Sequence, residues 1–230
     1  MELRAENITK TYEGKQILKD VSLTLEEGEC ISLLGASGIG KTTLFHILSG
    51  LELPDSGSVF LDGKDITGKQ GKIAYMLQKD LLMQHKTILD NVAMPLILNG
   101  EKKKLARQKA ESFFKRFGLD GTQAQYPSML SGGMRQRAAL LRTHLCGLPI
   151  TLLDEPFSAL DAVTRNDMQE WFLEMMKDIR LSVIFITHDI DEAMLLSDRI
   201  YMMEGKPASV TEREKDIRNE RSEVSCLCKN

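Results

Sequence analysis

Four cysteines in 230 residues (Cys30, Cys146, Cys226 and Cys228) are too few and too scattered for a disulfide framework. Reduced thiols, as in a cytosolic protein, are expected. No stretch approaches the roughly 18 consecutive apolar residues that a membrane-crossing helix requires. The segment Met1 to Lys10 is too polar for a secretory signal. Neither sign of charge dominates: 30 Lys and Arg stand against 33 Asp and Glu, for a net charge of -3. That balance gives no electrostatic footprint for nucleic acid, and none is expected as a partner. Internal repeats are absent too. What the chain does have is 42% hydrophobic residues, enough to bury the core of one large α/β domain with room for a subdomain.

Residues 1–34 alternate in the manner of strands, with turns at Gly14 and Glu27-Gly28. Glu29 to Leu34 reads as a strand feeding a glycine-rich loop, and Thr42 to Ser49 as a helix ended by Gly50. Strands are predicted near 57–61 and 72–77. From about Thr87 to Leu145 the pattern turns helical, with a Lys/Arg-rich face at 102–116. Strand character returns at Ile150–Leu153, Val183–Ile186 and Arg199–Met203. The alternation predicts a mostly parallel sheet covered by helices, an antiparallel add-on, and a helical insert at about 80–145. The domain is expected to span 1–210. Residues 211–230 read as a charged, solvated tail, in which Cys226-Leu227-Cys228 has no nearby His or Cys to make a metal site.

Gly35-Ala36-Ser37-Gly38-Ile39-Gly40-Lys41-Thr42 matches the phosphate-binding P-loop pattern, placed between a predicted strand and a predicted helix. Its glycines let backbone N–H groups turn toward phosphate oxygens, and the helix points its positive end at them. Lys41 adds a point charge for the β- and γ-phosphates; the Thr42 hydroxyl is a Mg²⁺ ligand. Ile150 to Leu153 is an apolar strand ending in Asp154 and Glu155. Ligands of open parallel sheets gather at the carboxyl ends of strands, so this strand would present Asp154 to Mg²⁺ and Glu155 to an attacking water. His188 follows another apolar strand and could contact the γ-phosphate or the water. Ser131-Gly132-Gly133 begins a second helix as an N-cap and makes a second anion site. A symmetric dimer, each nucleotide held by one P-loop and the partner's Ser-Gly-Gly loop, would use both.

With these residues in place the chain, over roughly residues 2–205, resembles the ABC ATPase family. Gly35–Thr42 is similar to its Walker A loop, Leu130–Gln136 to its signature, Leu152–Glu155 to its Walker B strand, and Ser158–Asp161 to its D-loop. The resemblance makes His188 the switch histidine and Gln78 the glutamine that meets Mg²⁺ and water. It places Tyr12 on adenine and adds Thr43 and Asp161 to the nucleotide-binding set. It implies a P-loop (RecA-like) core with an antiparallel β-subdomain and an inserted helical subdomain. Two copies would close head-to-tail on two ATP molecules and drive membrane permease subunits at the cytoplasmic face of the membrane, with an extracytoplasmic solute-binding protein upstream. Lys79–Pro95, Met134–Arg137 and Asp191–Arg199 are similar to importers of nitrate, sulfonate, taurine and thiamine-pyrimidine precursors. Gln84-His85 and Thr143–Gly147 depart from that pattern. A soluble ABC ATPase of the iron–sulfur assembly kind is the alternative. A non-hydrolysing nucleotide-gated module is disfavoured by Glu155 and His188 together. The resemblance also docks the permease on the stretch after Gln78, so polar substitutions at Leu82 and Met83 are expected to uncouple transport without disturbing the fold.

Overall fold

The structure, a computed structural model, describes residues 1–179 and 181–213. Among the described residues, ten strands form two sheets. The smaller has β1 (Glu2–Tyr12), β2 (Lys15–Glu26), β4 (Ser56–Leu61) and β5 (Lys64–Asp65), antiparallel and in the order β2-β1-β4-β5. The larger has β3 (Cys30–Leu34), β6 (Ala74–Met76), β7 (Ile150–Asp154), β8 (Ser182–Thr187), β9 (Arg199–Glu204) and β10 (Ser209–Arg213), in the order β10-β9-β3-β8-β7-β6. All its pairings are parallel except β10 with β9. Every residue of β3, β7 and β8 is buried, which is why these strands read as unbroken apolar runs.

Helix α1 (Lys41–Leu48) follows β3 and buries Leu44, Phe45 and Ile47 in a core shared by both sheets. Between β6 and β7 lie α2 (Ile88–Val92), α3 (Met94–Leu98), α4 (Lys103–Glu111) and α5 (Gly132–His144). With α6 (Ala162–Ile179) they close a second core around Phe114, Phe117, Phe157 and Phe172. Each such ring contributes about 1.5–3 kcal/mol by leaving water. Helix α7 (Ile190–Leu196) completes the set. Thr87 caps α2 and Ser131 caps α5, each through a hydroxyl that accepts from the backbone three residues on. No helix among the described residues is long and apolar enough to cross a membrane.

Strand β10 is a correction to the tail. Thr211, Glu212 and Arg213 pair with Met202, Tyr201 and Ile200 of β9. An edge strand with exposed side chains needs no apolar pattern, so its charged residues disguised it. The pair Cys226 and Cys228 lies outside the described residues.

Candidate active site

The strand order sets the site. The carboxyl ends of β3, β8, β7 and β6 lie side by side, and they lead respectively into Gly35, His188, Glu155 and the turn containing Gln78. Four segments scattered over 150 residues of sequence therefore meet at one sheet edge.

The loop after β3 is crowded from behind. A Cβ on Gly35 would come within 2.8 Å of the Met203 carbonyl, and one on Gly40 within 2.9 Å of Ile17. Gly40 also holds φ at 118°, a backbone state open to glycine. Lys41 is buried, and its Nζ donates to the carbonyls of Gly35 at 2.7 Å and Ala36 at 2.8 Å. The loop Gly35-Ala36-Ser37-Gly38-Ile39-Gly40 thus curls around the ammonium.

Asp154, at the end of β7, is only 7% exposed. Its Oδ2 accepts from Thr42 Oγ1 at 3.3 Å and from the Tyr75 hydroxyl at 3.1 Å. Burial pushes this carboxyl up, the neighbouring Glu155 adds to the push, and the two hydroxyls oppose it. The Tyr75 hydroxyl is pushed up as well, by burial first and then by Asp154. A buried carboxylate and a threonine hydroxyl sharing one spot form a hard oxygen donor set, which fits Mg²⁺.

Glu155 turns away from the strand in a left-handed conformation, φ 46°, while its N–H still donates to the Ile186 carbonyl. Its Oε2 accepts from Gln78 Nε2 at 3.3 Å and lies 3.6 Å from His188 Nδ1. Gln78 also reaches Ser158 Oγ at 3.4 Å. One carboxylate oxygen is therefore addressed by an amide and an imidazole. That constellation can accept and orient a water proton.

Tyr12 is 41% exposed; its hydroxyl donates to Glu52, and Lys10 Nζ stands 5.3 Å from the ring centre. Thr43, near the start of α1, acts on the same hydroxyl, so the exposed ring lies by the first turn of that helix. Ser131, Gly132, Gly133 and Asp161 sit at the starts of α5 and α6. Gly132 and Gly133 abut Leu160 and Thr164, and Asp161 caps α6 by accepting from the Thr164 backbone and hydroxyl at 3.0 and 2.7 Å. A cleft of about 590 Å³ separates Gln78 and Asp80 from Gly132 and Leu160.

Two further residues belong to the site: Tyr75, which carries no motif, and Ser158, which opens the D-loop stretch but shows no role of its own in the sequence. Strand β6 offered an aromatic, but only the β6–β7 pairing brings it to Asp154. Leu82 requires a correction. It is 4% exposed and part of the helical core, whereas Leu81 beside it is 55% exposed. A polar residue at 82 therefore strikes the fold, not a docking surface.

Parallel sheet, glycine loop wrapped around a lysine, and an acid pair ending the strand one place beyond its neighbour define a P-loop nucleoside triphosphatase. The chain belongs to the ABC transporter family, whose model matches residues 18–158. It is the ATP-binding subunit of an ABC importer and hydrolyses ATP. It is 44% identical to the formylaminopyrimidine import ATP-binding protein ThiZ of Halalkalibacterium halodurans, covering 89% of this chain and 80% of that one. Identity to the sulfate/thiosulfate import protein CysA of Synechococcus elongatus is 38%, over 90% of this chain but 63% of that longer one. Among solved structures, the dimeric post-hydrolysis state of the ATP-binding cassette MJ0796 with ADP and phosphate is 30% identical, with a TM-score of 0.78 over 93% of this chain and 98% of that one. The cbiO1 subunit of the cbiONQ transporter complex from Clostridium perfringens is 25% identical, with a TM-score of 0.85 over 96% and 92% of the two chains.

Proposed function

We propose that two copies of this chain close head-to-tail on two ATP molecules at the cytoplasmic face of a membrane and drive a permease importing a thiamine-pyrimidine precursor. The observation that carries the hydrolytic part is the Glu155 carboxylate meeting both Gln78 and His188, one residue from the Thr42–Asp154 pair. Glu155 takes the proton of the attacking water, Gln78 orients that water, and His188 steadies the carboxylate and faces the γ-phosphate. Lys41 and the amides from Gly35 to Thr43 hold the phosphates, and Tyr12 stacks on adenine. Thr42, Asp154 and Gln78 would hold Mg²⁺, which supplies charge neutralisation at the phosphate oxygens.

The second helix start, capped by Ser131 at the head of α5, supports the dimer: it is a further anion site that a nucleotide held by another copy's P-loop could use. The ThiZ relative, more similar and covering more of its own length than CysA, supports the pyrimidine precursor over sulfate.

The test uses Glu155→Gln. The amide keeps the shape but takes no proton, so ATP and Mg²⁺ should convert the variant from monomer to dimer in size-exclusion chromatography while hydrolysis falls at least about a hundredfold. A variant that hydrolyses at the parent rate removes Glu155 from its role. A variant that stays monomeric removes the sandwich.

A further inference from the structure

The segment from Lys79 to Lys86 has no helix or strand, yet it joins Gln78 to α2 through a left-handed Leu81, φ 46°. A non-glycine residue persists in that conformation only where its surroundings hold it. They do so from two sides. Downstream, the fully buried Asn91 accepts from the Met83 N–H at 2.7 Å and donates to the carbonyls of Met83, Lys86 and Thr87. Upstream, the hold comes from α5. Arg142 donates from one guanidinium nitrogen to the Leu81 carbonyl at 2.8 Å and from the other to the Asp80 carbonyl at 2.6 Å. Burial lowers the pKa of that partly buried guanidinium, and Asp80 opposes the shift. Arg135, two turns earlier on the same helix, binds the Asp80 carboxylate at 3.2 Å and the Leu130 carbonyl at 2.8 Å.

The same helix α5 begins at Gly132, capped by Ser131. One rigid rod therefore ends at the Ser-Gly-Gly loop and grips, ten residues on, the peptide two positions beyond Gln78. We propose that Arg142 is a positioning residue for hydrolysis. It locks the backbone after Gln78 to α5, so that the glutamine's engagement at one nucleotide and the aim of the Ser131 loop toward the other are set together. This rests on the two-nucleotide dimer of the preceding subsection. The planar fork matters because two carbonyls must be met at once; a lysine ammonium is a point charge on a flexible stem and does not reproduce the pair.

The experiment compares Arg142→Lys with the parent, alone and on the Glu155→Gln background. Expected for Arg142→Lys are a melting temperature lowered by only a few degrees, since the core stays while two carbonyl bonds weaken, and an ATP affinity within about twofold of the parent, since the P-loop is untouched. Backbone amide exchange should quicken in residues 79–83 only, and kcat should fall about tenfold with KM little changed. ATP-driven dimerisation of the Glu155→Gln protein should weaken by about tenfold or more when Lys replaces Arg142. A parent-like kcat overturns the proposal. So does a loss of melting temperature and ATP affinity in step with kcat, which would make Arg142 a core residue and nothing more. If Glu155→Gln with Arg142 intact fails to dimerise, the sandwich reading fails, and the kcat and exchange measurements still decide the strap.

Discussion

Lys41 is a buried cation whose Nζ donates to two carbonyls of its own loop, so it serves two ends. It organises the curl of Gly35–Gly40 and it supplies the charge that a triphosphate meets. Replacing it with alanine removes both. Lys41→Ala should weaken ATP binding by at least about tenfold, since charge-assisted contacts to phosphate are the strong ones. Fluorescent-nucleotide titration measures it, and an affinity within about twofold of the parent would contradict the assignment. The loop was legible in the bare sequence because its chemistry is local: glycines, lysine and threonine at fixed offsets define it before any fold is known. Tyr75 was not legible, because the carboxylate it serves lies 79 residues away and becomes a neighbour only through sheet order.

At the scale of the elements, the stretch 81–83 shows where sequence reading failed. Leu81, Leu82 and Met83 form a short apolar run with no periodicity to say which side chain faces inward, and the irregular backbone leaves the choice to tertiary packing. Leu82 points into the core. Leu82→Asn should therefore cost about 2–5 kcal/mol by emptying an apolar site and burying an amide. Leu81→Asn should leave the melting temperature within a few degrees, on the order of a surface substitution. Equal melting curves for the two variants would refute the distinction. The far end of α5 offers a second check. His144 packs against Phe113 and Phe117, with ring centres 5.4 and 5.8 Å away. Burial, and then Arg116, hold its folded-state pKa below the ordinary imidazole value. The unfolded chain then binds the extra proton more readily, so stability is lost as pH falls below about 6.5. Urea unfolding at several pH values should show that slope in the parent and a shallower one in His144→Gln.

At the scale of the whole molecule, two sheets behave as one framework. The bridge between Leu18 and Ala208, with hydrogen bonds from Lys19 to Ala208 and from Ala208 to Ile17, fastens β2 to the turn between β9 and β10. The fold class was readable because alternating apolar strands and helices admit few arrangements. The order β10-β9-β3-β8-β7-β6 was not, since nothing in Cys30–Leu34 says which later strands will flank it.

That order has a consequence for how the protein is born. Strand β3, which carries the phosphate loop, pairs with β8 and β9, and so both its neighbours come from residues 182–204. A ribosome making the chain releases the loop well before its supports. Contacts so distant in sequence form late, after the cost of closing a long loop has been met. During synthesis the nascent chain should hold the helical insert and the small antiparallel sheet before it can grip a nucleotide at all. Stalled chains ending near residue 181 should therefore fail to bind ATP, whereas chains released past Arg213 should bind it. Filter binding on arrested ribosome complexes would show the difference, and ATP capture by the shorter chain would disprove the order. A cell thus meets no ATPase until residues 182–204, which flank the strand of the phosphate loop, have been made.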